Sequence, residues 1–273
     1  MSAHLGGAVV TGAGRGLGRQ IATLLADRGH QVLVTDIDAG AAAAAAKAIG
    51  RGTTALAVDV RDQAQVDGAR DAIMASAGRL DVWVNNAGVL VTGPAWDQDE
   101  ATRRLMFEVN ALGTINGTLA AIEPMRAAGG GHVINIVSLA GLTAVTGEAI
   151  YAASKHAALG FSLSTMGDLK RAGVKGINIS CVCPDGIWTP MLHDKLGDPE
   201  SALSFSGKLL EPAEVVEAVR KVLDKPRLVT AVPGWRGLQA RLADAIPEIG
   251  LLATPLIVRQ GKRAQAKLRA KGR

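Results

Sequence analysis

Residues 5–29 read LGGAVVTGAGRGLGRQIATLLADRG. The opening LGGAVVT is a short apolar run, which predicts a buried strand. The closing RQIATLLADRG has helical periodicity. Between them stands Gly12-Ala-Gly-Arg15-Gly16-Leu17-Gly18. Glycine permits a tight turn and lets backbone N–H groups approach a pyrophosphate, and the N-terminus of the following helix then faces that negative charge. Strand, glycine turn and helix together are the setting a dinucleotide site needs. The spacing Gly-x-x-x-Gly-x-Gly differs from the commoner G-x-G-x-x-G, so the flanking elements carry the reading.

The chain then alternates strand and helix. QVLVTD (31–36) predicts a second strand ending in Asp36, an acid placed to accept hydrogen bonds from a ribose diol and to repel a 2′-phosphate. That favours NAD over NADP. Arg15 pulls the other way, because a cation in the turn could hold a 2′-phosphate. The alanine-rich run 39–50 predicts a helix. TTALAVDV (53–60) predicts a third strand whose end, Asp59-Val60, could border an adenine. A helix over 62–77 and a strand over 81–85 follow. Asn85-Asn86-Ala87-Gly88 suits a turn with unusual backbone angles and reads as shape more than chemistry.

A long helix over 99–128 carries Asn110 among apolar neighbours, either purposeful or a satisfied core amide. HVINIVS (132–138) predicts a fifth strand closed by Ser138. The helix expected over 148–172 places Tyr151 and Lys155 four apart on one face. An ammonium beside a phenol favours the phenolate and should lower its pKa toward the range that acid/base work needs. A sixth strand (KGINISCVC), a helix near 211–224 and a seventh strand (RLVTAVP) complete the pattern. Long crossovers between strands imply a parallel sheet with helices on both faces, a Rossmann-like doubly wound α/β fold.

Composition narrows the function. The net charge of +5 invites a nucleic-acid reading, but residues 259–273 hold seven Lys/Arg and no acid, which leaves 23 basic against 25 acidic residues elsewhere. The excess belongs to the tail, so no nucleic-acid face is expected. Cys181 and Cys183 would point the same way on a strand, a poor disulfide geometry, and no metal-ligand cluster accompanies them. No leader and no run of about 18 apolar residues is found, so a reduced, cytoplasmic location is expected.

Thr11-Gly12-x-x-x-Gly16-x-Gly18, Asn85-Asn86-Ala87-Gly88, Asn110, Ser138, Tyr151 and Lys155, in this order over residues 5–232, resemble the single-domain short-chain dehydrogenase/reductases. The resemblance implies a seven-stranded sheet, a nicotinamide cofactor and a homodimer or homotetramer built on helices. It implies that Tyr151 is the acid/base and that Lys155 lowers its pKa and binds the nicotinamide ribose. Ser138 would hydrogen-bond the substrate oxygen, and Asn110 would hold a water that relays protons through Lys155. Cofactor contacts are then expected from Gly12, Arg15, Gly16, Leu17, Gly18, Asp36, Asp59, Val60, Asn86, Ala87, Gly88, Pro184, Ile187 and Thr189, besides Tyr151 and Lys155. One departure stands out: Pro184 is followed by Asp185 where such proteins carry glycine.

The expected activity is hydride transfer between NAD(H) and a secondary alcohol or ketone. Apolar residues expected on the substrate side (Leu139, Leu142, Val145, Trp188, Met191, Leu192, Leu203, Phe205) suit a bulky steroid- or terpenoid-like molecule. An NADPH-dependent 3-oxoacyl thioester reductase is the alternative, supported by Arg15 and opposed by Asp36. A non-catalytic dinucleotide sensor or scaffold is opposed by working residues at all four chemical positions. The catalytic domain is expected to span 1–234. The extension 235–273, apolar then basic, is expected to pack over the pocket or a partner with a solvated, frayed end, or to touch an anionic membrane surface.

Overall fold

The computed structural model describes residues 5–271. Seven parallel strands form one sheet: β1 (Gly7–Val10), β2 (Gln31–Asp36), β3 (Thr54–Ala57), β4 (Leu80–Asn85), β5 (Gly131–Ile136), β6 (Ile177–Pro184) and β7 (Val229–Val232), in the order β3-β2-β1-β4-β5-β6-β7. Every ladder is parallel. Chain direction across the sheet reverses between β1 and β4, so a crevice opens at their carboxyl ends, where open sheets of this kind bind ligands.

Alternation within single strands builds two cores. Val10, Val34 and Val84 face α1 (Gly16–Asp27), α2 (Ala39–Ile49) and α8 (Pro212–Asp224), packing on Ile21, Leu25, Val215 and Val219. Their neighbours Val9, Leu33 and Trp83 face α3 (Gln63–Ala77) and α5 (Gly113–Ala127), packing on Ile73, Ala121 and Met125. A side chain of this size stabilises the fold by about 1.5–3 kcal/mol when fully buried. With both faces covered, the strands read as continuous apolar runs.

The third strand is shorter than expected. It ends at Ala57, all four of its residues are exposed, and Asp59-Val60 lies beyond it. The expected long helix is α4 (Glu100–Phe107), a π turn (Glu108–Leu112) and α5 in continuous succession, and Asn110 sits in the π turn. Glu100–Ala127 is long and apolar enough to cross a membrane by length and composition, but just over half of its most apolar window is buried inside the protein. It is a core helix.

The catalytic-type helix is α6 (Ala149–Arg171). Beyond β6 come the short helix α7 (Pro190–His193) and a 3-10 turn (Pro199–Phe205). The extension corrects its expectation. It forms α9 (Gly234–Ala245) and α10 (Pro247–Ala270), and α10 remains helical through the basic residues instead of fraying. Pro247 opens α10, where its missing N–H costs nothing. Gly272 and Arg273 of the tail lie outside the described residues.

Candidate active site

The glycine turn is shaped by three different constraints. Gly12 and Gly16 have φ of +60° and +57°, the left-handed region that disfavours a side chain. Gly18 has no room for one: a Cβ there would lie 2.4 Å from Asn86 Nδ2 and 2.5 Å from the Gly12 carbonyl oxygen. Asn86 Nδ2 donates to the carbonyls of Thr11 and Gly12, both at 3.0 Å. Thr11 Oγ1 accepts from the backbone N–H groups of Asn86 and Ala87. The Asn86-Ala87-Gly88 turn is thus bolted to the glycine turn, across the β1–β4 junction. Asn85 is a buried strand residue, donating to Asn135 Oδ1 at 2.8 Å and to Thr118 Oγ1 at 3.1 Å.

α1 begins without a side-chain cap and without an acid in its first turn. Its orphan N–H groups meet a cavity lined by Gly12, Arg15, Gly16, Leu17 and Gly18, so an anion fits there. Asp36 lines the same cavity. Its Oδ2 accepts from Gly14 N–H at 3.0 Å and its Oδ1 from Asp38 N–H at 3.1 Å, and each oxygen keeps a lone pair for a further donor. Asp59 is held by Arg61, with Nε–Oδ1 and Nε–Oδ2 both at 2.9 Å, and this pairing holds its carboxyl below the usual range. These residues fit a dinucleotide: a cradle no Cβ can enter, free helix N–H groups, and an acceptor at the far edge.

The cavity encloses about 1080 Å³. All the expected cofactor residues line it, Asp59, Val60, Pro184, Ile187 and Thr189 included, as do Ser138, Tyr151 and Lys155. Ser138 follows β5, and the turn Leu139–Gly141 presses on α6 so closely that a Cβ on Gly141 would lie 3.0 Å from the Lys155 carbonyl oxygen. That contact brings Ser138 against the first turn of α6. Its side chain hydrogen-bonds the Tyr151 phenol in the sense that favours the phenolate. Lys155, 4% exposed, donates from Nζ to the Ile136 carbonyl at 3.2 Å, with Nζ 5.7 Å from the centre of the Tyr151 ring.

The expected acidification of the phenol is corrected. Burial drives Tyr151 upward, nearby Glu148 adds to the rise, and only Ser138 opposes it. Burial also lowers Lys155 to about 8. Desolvation penalises both charged forms and is the largest cause of each shift.

Asn110 does not line the cavity. Fully buried, it accepts from Val89 N–H and donates to the Val89 carbonyl, both at 2.9 Å, and donates to Ser154 Oγ at 3.0 Å. Its side chain ties the strand β4 exit to α6, and both it and Lys155 border Gly88, whose Cβ position lies 3.2 Å from Asn110 Oδ1 and 3.6 Å from Lys155 Nζ. The π turn widens the helix where this insertion occurs, as π turns often do at functional sites.

On the substrate side, Leu139, Val145, Met191, Leu192 and Leu203 line the cavity. Leu142 instead packs with Val137 and Leu159, while Trp188 and Phe205 pack with Leu192, Leu196 and Leu268, fastening the 188–205 segment to α10. Cys181 and Cys183 are free, buried and on the same core face, and burial pushes their thiols up to about 11 and about 12.

Two polar features of the cavity escape the sequence reading. Glu148, 2% exposed, accepts from Ser204 Oγ at 2.5 Å, and burial pushes its carboxyl up to about 7. Its position three residues before Tyr151 was the available signal. The second is the partner of Asp185. Arg236 Nε on α9 meets Asp185 Oδ2 at 2.7 Å, and Gly186 N–H donates to Asp185 Oδ1 at 3.0 Å. The pair occupies the space beside Gly207, where a Cβ would lie 2.9 Å from Asp185 Oδ2. The loop keeps its course regardless: Leu210 N–H donates to Gly186 O and Trp188 N–H to Leu210 O, both at 2.8 Å. Among the described residues, no cluster of three or more His, Cys, Asp or Glu is placed to hold a metal.

Comparison with known proteins agrees with this geometry. Residues 7–200 match the profile of the short chain dehydrogenases. A cyclopentanol dehydrogenase of a Comamonas species is 36% identical over 219 residues, covering 77% of this chain and 86% of that protein. Estradiol 17-beta-dehydrogenase 11 of Rattus norvegicus is 30% identical over 243 residues, covering 88% and 79%. A short chain dehydrogenase/reductase from Burkholderia phymatum, solved in complex with NAD, superposes with a TM-score of 0.81 at 27% identity, covering 92% of this chain and 97% of that one. The glycine cradle, the Ser138–Tyr151–Lys155 grouping and the matched profile have one common explanation: this chain belongs to the short-chain dehydrogenase/reductase family, NAD(P)-dependent oxidoreductases acting on CH–OH groups.

Proposed function

We propose that the protein transfers hydride between NAD(H) and a bulky, hydrophobic secondary alcohol or its ketone. The observation that carries this reading is the meeting, in one cavity, of the Ser138–Tyr151 hydroxyl pair with the glycine turn that Asp36 borders. When bound, the nicotinamide supplies the hydride donor or acceptor. Ser138 and Tyr151 grip one substrate oxygen and stabilise the charge that changes there. Tyr151 passes the proton at that oxygen. Burial and Glu148 hold the phenol protonated, which suits it to donate during ketone reduction. Lys155 faces the ribose side beside Gly88, and Asn110 positions α6 through Ser154.

The apolar lining favours a large hydrocarbon skeleton, and the dehydrogenase relatives that act on cyclopentanol and estradiol support a cyclic alcohol. A panel of cyclic alcohols, hydroxysteroids, terpene alcohols and acyl thioesters, each with NAD and NADP, tests it. Turnover confined to short polar alcohols removes the reading. The NADPH-dependent 3-oxoacyl thioester reductase keeps one supporting observation: Arg15 is exposed at the cavity and in no ion pair among the described residues. A clear preference for NADPH would favour it.

Leu105, Leu112 and Leu119 are exposed and recur every seven residues along the Glu100–Ala127 helix. We assign this stripe to a homodimer contact. Leu112→Glu should shift the protein to a smaller species in sedimentation velocity, and an unchanged profile removes the assignment.

A further inference from the structure

We propose that the outward face of α9 and α10 docks on an anionic lipid surface. Trp235, Leu238 and Leu242 fall on one stripe of α9, at spacings of three and four, and are 62%, 63% and 61% exposed. On α10, Leu252 and Leu256 are 81% and 72% exposed. The same stripe continues at helical spacing through Arg259, Arg263 and Lys267, all exposed. The two helices adjoin closely, since a Cβ on Gly250 would lie 3.2 Å from the Ala243 carbonyl oxygen.

The roll of α10 is fixed by its opposite face, so these leucines cannot turn inward. Gln265 is 3% exposed, and its Nε2 donates to Asp198 O at 2.8 Å and Ser201 Oγ at 2.9 Å. Gly261 touches the 199–205 turn so tightly that a Cβ would lie 1.8 Å from the Ala202 carbonyl oxygen. What remains outside is a leucine patch followed by cations.

That sequence of side chains matches a bilayer surface. Leucine and tryptophan enter the acyl boundary, while arginine and lysine extend along it to reach phosphate headgroups. Each basic residue near an anionic surface adds to the attraction, and salt screens it. A second copy of this chain is a poorer occupant. α10 exposes five cations (Arg259, Lys262, Arg263, Lys267 and Arg269) against one acid, Glu248, one turn before Leu252, so self-pairing leaves most of the positive charge unmatched. Leu242, Ile246 and Leu251 also line the cavity, so docking would set its mouth at the lipid.

Flotation of the 273-residue chain with vesicles of phosphatidylcholine, or of phosphatidylcholine mixed with phosphatidylglycerol, tests the proposal. The expected result is binding to the mixed vesicles that is at least tenfold weaker on phosphatidylcholine alone and in high salt. Arg259→Glu/Arg263→Glu/Lys267→Glu should abolish the preference, and Leu252→Ser/Leu256→Ser should weaken binding to both compositions. Circular dichroism and thermal midpoints confirm that the variants fold. Failure to bind either vesicle, or equal binding to both, overturns the proposal. So does a Leu252→Ser/Leu256→Ser variant that floats like wild type but sediments as a smaller oligomer. Alcohol oxidation in vesicle-free buffer is read separately, so loss of this proposal leaves the redox reading untouched.

Discussion

Asp185 and Arg236, fifty-one residues apart in sequence, form an ion pair at 2.7 Å that fastens α9 to the loop leaving β6. Their side chains are only 11% and 21% exposed. Arg236→Met therefore strands a mostly buried carboxylate. The expected loss is about 1–3 kcal/mol of unfolding free energy. Asp185→Gly/Arg236→Met should recover most of that loss, because no charge is left unpaired. Urea unfolding of the two single variants and the double variant gives the coupling energy directly. Additive losses would contradict a direct pairing.

Glu148 makes stability depend on pH. Its folded carboxyl is raised to about 7 from an ordinary value of 4.5. Between those values the folded state holds a proton that the unfolded state has released, so stability falls as pH rises through this window. The loss reaches about 3 kcal/mol above neutrality. Glu148→Gln has no such proton to lose. Relative to wild type, it should gain stability steadily from pH 4.5 to about 7 and then level off. Thermal melts of both proteins over this range check it, and parallel curves would contradict the assignment. His132, lowered to about 4 by burial, acts in the opposite sense in both proteins and cancels in the difference.

The cofactor half is tested at two positions. Gly18→Ala forces the Gly12 carbonyl and Asn86 Nδ2 to shift and so distorts the cradle, and NADH affinity should fall by at least tenfold. Asp36→Ala removes a charged acceptor, and NADH affinity should fall by roughly tenfold or more. NADPH affinity should rise, because the repulsion of a 2′-phosphate is gone. Fluorescence titration with both dinucleotides reads each effect. An Asp36→Ala variant with unchanged preference would shift the discrimination to Arg15.

The sequence reading succeeds where one local rule suffices and stops where residues distant in the chain meet. The glycine turn, the strand ends at Asp36 and Ser138, and the Tyr151/Lys155 face were legible because each depends on nearby residues and a fixed period. The Asp185–Arg236 pair was not, since its partners lie on separate elements and Asp185 read as a departure without a cause. The direction of the phenol's pKa is not legible for a related reason: spacing shows that Lys155 is near, but burial of both groups is a tertiary property. Trp188 and Phe205 read as pocket residues because they are apolar and near the site. In the fold they face α10, whose packing partner the sequence did not disclose. The helical tail was likewise hidden, because exposed lysines and arginines carry no apolar period of their own, and it is the buried Gly261 and Gln265 that dock it.

The most direct test of the central claim is steady-state turnover of a cyclic secondary alcohol by Tyr151→Phe, with NADH binding measured on the same preparation. The phenol oxygen is removed while the ring and the Lys155 contact stay. Turnover should fall by at least 10²- to 10⁴-fold, the usual worth of a positioned acid/base, with NADH affinity within a few-fold of wild type. Wild-type turnover by Tyr151→Phe would contradict the account.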